Sequence, residues 1–161
     1  MTRLLALVVL GIALVSTLAE AKSKRIHVTA EVVKTTSIGD PDEPKIGDRT
    51  ITSVVLFDKH HTEVGNGAGV CTLVSLQPPL GRLVQCYVTA VFDDKGQIIF
   101  GGIAPLPDIG AVGHFGILGG TDDFREARGE VTLVVISPVL QDGTFDIELD
   151  SERRHGKLTA Q

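Results

Sequence analysis

Two runs rich in β-branched and apolar residues, Val112–Leu118 and Glu130–Ile136, are joined by Gly-Gly-Thr-Asp-Asp-Phe and a charged arch that ends at Gly129. Such a stretch reads as a strand, a glycine-rich reversal and a second strand. The same grammar recurs along the chain. Runs between turn signals place further strands at Ile26–Thr36, Ile51–Asp58, Gly69–Leu76, Leu83–Phe92, Gln97–Gly101 and Thr144–Leu149. Beyond residue 21 no long segment holds apolar residues at helical spacing, so the chain is all-β. Eight strands in one small domain make a closed barrel or a sandwich. Asp93-Asp94-Lys95-Gly96 and Gln141-Asp142-Gly143 are hairpin turns, which force antiparallel neighbours. Asp40-Pro41-Asp42-Glu43-Pro44 cannot continue a ladder and reads as a surface loop, either a plain connector or a gate at a barrel mouth.

Residues 1–21 stand apart: a basic start at Arg3, an apolar stretch from Leu4 to Val15, then Ala19-Glu20-Ala21 with small residues where a signal peptidase reads. Twelve or so apolar residues fall short of the ~20 that a membrane-spanning helix needs. The expectation is a signal peptide over 1–21, a single domain over 22–161, and a secreted protein, extracellular or periplasmic. A net charge of -5 argues against nucleic acid or an anionic membrane as partner. The basic clusters Lys22-Ser23-Lys24-Arg25 and Arg153-Arg154-His155 lie at the ends of the mature chain and read as solvated tails, with Ser151–Gln161 fraying.

Cys71 and Cys86 are the two thiols of the chain. In a hairpin centred between Pro78 and Pro79 they face each other directly, at a separation a disulfide spans. In an exported chain such a pair oxidises. The rival is a free Cys71 thiol pointing into a pocket. Two thiols without suitably spaced histidines do not make a metal site, and none is expected.

The remaining polar motifs carry little chemistry. His60-His61 would project to opposite faces of a strand, which rules out a joint chelate unless they lie in a turn, and they read as exposed strand-end residues. His114, next to Phe115, would face outward. Asp122, Asp123, Arg125, Glu126 and Arg128 form a charged arch that reads as a solvated, self-paired surface. No nucleophile elbow, phosphate-binding loop or cofactor motif stands out, so hydrolase and kinase chemistry have no support, and no cofactor is expected.

Ile46-Gly47-Asp48 precedes one strand, and Gly65 with Gly69-Val70-Cys71 marks the next. Asp94-Lys95-Gly96-Gln97-Ile98 forms a hairpin, and Phe115 is followed by Gly119-Gly120-Thr121 and by Phe124 before Gly129. In this order and spacing, from Gly47 to Ile136, the chain resembles the allene oxide cyclase barrel family, which shares its fold with dirigent proteins. The resemblance implies an eight-stranded antiparallel β-barrel with an apolar lumen, assembled as a homodimer or homotrimer. It implies confinement of a small hydrophobic guest, whose cyclisation or stereoselective coupling the barrel steers.

Carried over residue by residue, the family's first-strand glutamate matches Glu31 and its cysteine matches Cys71. The positions of its two water-holding asparagines fall on Val33 and Val54, side chains that cannot hydrogen-bond. The same alignment turns Glu31, Val33, Val54, Leu56, Cys71, Leu73, Val88 and Phe115 inward. Desolvation in a dry lumen favours the neutral form of a carboxyl, which would suit Glu31 to acid or base catalysis near neutrality. A one-residue slip in register would instead place it outside. With one Tyr and no Trp the lumen offers little stacking surface, so aliphatic guests are expected. The alternative to a cyclase-like or dirigent-like barrel is a secreted binding or structural module without catalysis.

Overall fold

In a computed structural model of the chain, which describes residues 22–40, 42–77 and 81–149, eight strands follow in order. They are β1 (Lys22–Ile38), β2 (Arg49–Phe57), β3 (Glu63–Ser75), β4 (Leu83–Phe92), β5 (Gly96–Pro105), β6 (Val112–Gly120), β7 (Ala127–Ser137) and β8 (Leu140–Leu149). Each pairs antiparallel with its neighbour in sequence, and β8 returns to β1, so the sheet closes into a barrel. The expected signal peptide, the C-terminal tail from Ser151 and the Pro78–Pro79 hairpin centre lie outside the described residues. Among the described residues no helix is long and apolar enough to cross a membrane.

An eight-stranded barrel is just wide enough either to fill with its own side chains or to hold one small guest. Side-chain size on the inner face decides between these, and the two ends of this barrel decide differently. At the end carrying the β2–β3, β4–β5 and β6–β7 connections, the interior is packed with phenyl rings. Phe92 lies 5.5 Å from Phe124 and 5.6 Å from Phe145, and Phe145 lies 5.5 Å from Phe100, between ring centroids. Phe124 comes from a single 3-10 turn, Asp122–Phe124, inside the charged arch, and is fully buried. The turn is a plug: its backbone crosses the strand end close to Gly120, where a Cβ would collide with Phe124 itself.

The expected strands are all present and most are longer than the turn signals suggested, β3 and β5 where glycine reads as a break and β8 where Gln141-Asp142-Gly143 reads as a turn. β3 starts at Glu63 and not at Gly69, since Gly65 and Gly67 continue the strand. β5 runs through Gly101 and Gly102 to Pro105. In both places glycine reads locally as a break, and the structure uses it for close approach instead. A Cβ on Gly67 would sit 3.1 Å from both the Thr89 carbonyl oxygen and the Val54 side chain.

Cys71 and Cys86 are direct partners in the β3–β4 ladder, with Cα atoms 4.1 Å apart, and form a disulfide. Both lie on the inner face, so the bridge is part of the lumen wall.

Candidate functional site

The inner face of each strand alternates with the outer, and the inward set becomes small where it approaches the second end of the barrel. Ala30 on β1, Gly67 and Gly69 on β3, Ala90 on β4, Ala104 on β5, Gly113 on β6 and Gly143 on β8 leave a cavity of about 370 Å³. Phe100 and Phe145 lie toward its closed end, and its walls include Val28, Val54, Leu56, Val84, Val88, Leu133, the disulfide and Phe115, whose ring lies over Gly113. Its mouth is at the end formed by the β1–β2, β3–β4, β5–β6 and β7–β8 connections. There the lining turns polar, with Thr50, Thr52 and Gln141, and the β5–β6 connection contributes Leu106, Pro107, Asp108 and Ala111.

That connection is tied down at both sides. The Leu106 N–H donates to the Arg82 carbonyl at 2.9 Å, and Gly110 N–H to the Val135 carbonyl at 2.8 Å, with Val135 N–H returning to Ala111 at 3.0 Å. It forms a fixed rim over part of the opening. A shallower recess of about 190 Å³ adjoins the mouth under the β1–β2 connection, lined by Asp40, Asp48, Arg49 and Arg82, and shares Thr50, Cys71, Val84 and Leu106 with the main cavity.

The residues singled out from the sequence divide in two. Val54, Leu56, Cys71, Val88 and Phe115 line the cavity, and Cys86 joins them. Leu73 is inward and buried, but it lies under the shallow recess and not on the main cavity. Glu31 and Val33 are corrections. The inward phase of β1 is carried by Val28, Ala30 and Val32, the last two paired with Leu56 and Val54 across β2, so Glu31 points outward. Its side chain is 42% exposed, with the carboxylate 3.8 Å from His61 Nε2. Val33 occupies a bulge between Val32 and Lys34 and is 63% exposed. The alignment that turned both inward was out of phase by one residue on β1, which moves a whole strand face to the other side. Glu31 therefore supplies no acid or base to the lumen.

Of the aromatic lining, Phe115 is inward as expected, whereas Phe100 and Phe145 were not singled out. The signal was present in both, each at an inward phase of its strand.

The polar motifs lie outside. His61 sits in the β2–β3 turn with φ 58° and stacks on Phe57 at 4.7 Å. The turn is held by Asp58, whose carboxylate accepts the N–H groups of Thr62 (2.9 Å) and His60 (2.8 Å). These backbone donors, Thr62 first, hold the Asp58 carboxyl below its ordinary range. His114 faces outward with Nδ1 3.0 Å from Glu130 Oε1.

Chemically the lumen is austere. Among the described residues no polar or charged side chain is buried, no group of three or more potential metal ligands gathers, and Asp108 at the rim is the one ionisable side chain lining the cavity. Such a cavity can desolvate a guest and restrict its conformations. Its reactive side chains are confined to the mouth, where Asp108, Thr50 and Thr52 lie.

A family model described as the allene oxide cyclase barrel like domain matches residues 27–145. No curated protein sequence matches. Among solved structures, a pyocyanin demethylase is 22% identical, with 76% of this chain and 99% of that one covered and a TM-score of 0.65. AbnU, an exo-specific intermolecular Diels-Alderase, is 16% identical over 79% of this chain and 98% of its own, with a TM-score of 0.67. The Diels-Alderase AbmU from Streptomyces koyangensis is 16% identical over 83% and 72%, with a TM-score of 0.69. At these identities the likeness is one of fold.

Proposed function

We propose, since the chain belongs to the allene oxide cyclase barrel like family, that it takes a small hydrophobic molecule into its lumen and steers the cyclisation or stereoselective coupling of that guest. The observation that carries this reading is the 370 Å³ cavity, closed by phenyl rings at one end and open at the other. It exceeds the ~300 Å³ at which small-molecule pockets begin. A lumen whose one ionisable side chain is Asp108 at the rim suits a reaction whose guest arrives already reactive, because the wall then has only to exclude unproductive conformers. Similar barrels described as Diels-Alderases support the reading at the level of fold.

The second reading is a secreted binding or structural barrel that does no steering. Val54 in the wall and Val33 on the surface, at the positions of the family's asparagines, favour it, since neither can hold a polarising water. Turnover separates the two readings, and occupancy of the lumen is common to both.

Calorimetric titration with decanamide, a neutral straight-chain probe, tests occupancy. Val54→Phe adds a ring to the cavity wall, projecting into the lumen, and is expected to weaken decanamide binding at least about tenfold, which is 1.4 kcal/mol. Because the ring enters a void, folding stability is expected to change by less than about 1 kcal/mol. Unaltered affinity in Val54→Phe would place the probe outside the lumen.

Export after cleavage following Ala21, with residues 22–161 as the mature domain, belongs to the same proposal and is supported by the disulfide. So does a homodimer or homotrimer. Its support is an uncharged outer patch centred on Gly101, where Tyr87 is the cross-strand partner, Ile99 and Ile103 flank on β5, and Leu118 leans in from β6. All four large side chains are exposed. Sedimentation equilibrium of the mature chain is expected to give a multiple of the monomer mass, reduced to the monomer by Ile103→Lys.

A further inference from the structure

Polarity in the cavity is graded along its axis. The closed end is the rings of Phe100 and Phe145, the walls are apolar, and among the described residues no buried polar side chain waits below to receive a hydrogen bond from a guest. A polar group carried down to the closed end would lose its water and find nothing in exchange, at a cost that outweighs the gain from the apolar part. An amphipathic guest therefore enters apolar end first and leaves its polar end at the rim.

The charge at the rim is one-sided. Thr50, Thr52 and Gln141 are neutral and serve either polarity of hydrogen bond. The adjoining recess carries two carboxylates, Asp40 and Asp48, against two guanidinium groups, Arg49 and Arg82, so its charges balance. Farther out on the same connection Lys45 pairs with Glu43 at 3.4 Å. Asp108 remains, on the cavity lining itself, and among the described residues no hydrogen bond or ion pair engages its carboxylate. The connection that carries it is pinned to Arg82, just before β4, and to β7 by the backbone bonds described above, so the carboxylate is presented on a fixed rim.

We propose that Asp108 is a specificity-determining residue that selects guests whose exposed end is an ammonium or another strong hydrogen-bond donor, and disfavours guests ending in a carboxylate. This rests on the reading of the lumen as the guest site. Attraction for one head group and repulsion for the other each contribute a few-fold at a solvated rim, and together about tenfold. The preference weakens as salt screens it.

The test is a matched series of decylamine, decanamide and decanoate, titrated calorimetrically at low salt into the mature protein and into Asp108→Asn, with Asp108→Lys as a second variant. Decylamine is expected to bind about tenfold tighter than decanoate, with decanamide between them. Asp108→Asn is expected to shrink the ratio to near unity, and Asp108→Lys to invert it. Equal binding of amine and carboxylate, or a ratio that survives Asp108→Asn, overturns the assignment while decanamide binding leaves the lumen reading intact. Failure of all three probes to bind overturns the lumen reading, and the assignment with it.

Discussion

Phe124→Ala is expected to destabilise the folded chain by about 3–5 kcal/mol, read as a fall in the urea midpoint at unchanged slope. The magnitude follows from position. Phe124 is fully buried, its ring centroid is 5.5 Å from that of Phe92, and the Lys24 ammonium lies 5.4 Å above its face. It is delivered by a short turn with few hydrogen bonds of its own, chiefly Phe124 N–H to Thr121 at 2.8 Å and Asp123 N–H to Lys95 at 3.1 Å. Without the ring, the turn has no apolar anchor, and Phe92 faces a void that the rigid ladder around it cannot collapse to fill. A loss below about 1 kcal/mol would show that the ring is not the plug. The variant also has a functional arm: once the closed end is breached, water reaches Phe100 and Phe145 from behind, and decanamide binding should weaken although no residue of the mouth has changed.

Loss of the disulfide is the second large effect. The bridge closes a loop of sequence separation 15, for which the chain-entropy account predicts about 3 kcal/mol. Cys71→Ala/Cys86→Ala is expected to lower stability by that amount. It should also steepen the urea dependence, because the unfolded chain, freed of its cross-link, exposes more surface. Reductant should leave the double variant unaffected and shift the parent protein toward it. Coincident unfolding curves for oxidised parent and double variant would show that the β3–β4 ladder needs no bridge. Since both cysteines line the lumen, the double variant should also bind decanamide with altered affinity, linking the covalent frame to the guest site.

Much of the scaffold was legible in the chain because it is written locally. Val112–Leu118 and Glu130–Ile136 fall within β6 and β7, and Asp93–Gly96 turns β4 into β5, whereas Gln141-Asp142-Gly143 is not the turn expected: it lies in the β8 ladder, and the chain reverses at residues 138–139. The cysteine pairing could be read because opposed residues of one hairpin are related by counting. Glycine misled where it served packing: Gly65 and Gly67 look like a turn, yet lie within β3 because their missing side chains admit the neighbouring strands.

Strand number, antiparallel order and the disulfide were thus determined by the amino-acid sequence alone, since alternation, turn residues and cross-strand counting involve neighbours along the chain. Tertiary structure decided where Val33 goes, because a one-residue bulge between Val32 and Lys34 breaks the alternation there, whereas Glu31 shares the polar face of His27 and Thr29 that the alternation of β1 already marks. It also decided that the lumen is open at one end and plugged at the other. That is a balance of volumes among side chains from all eight strands and one turn, residues remote in sequence that meet only when β8 closes on β1.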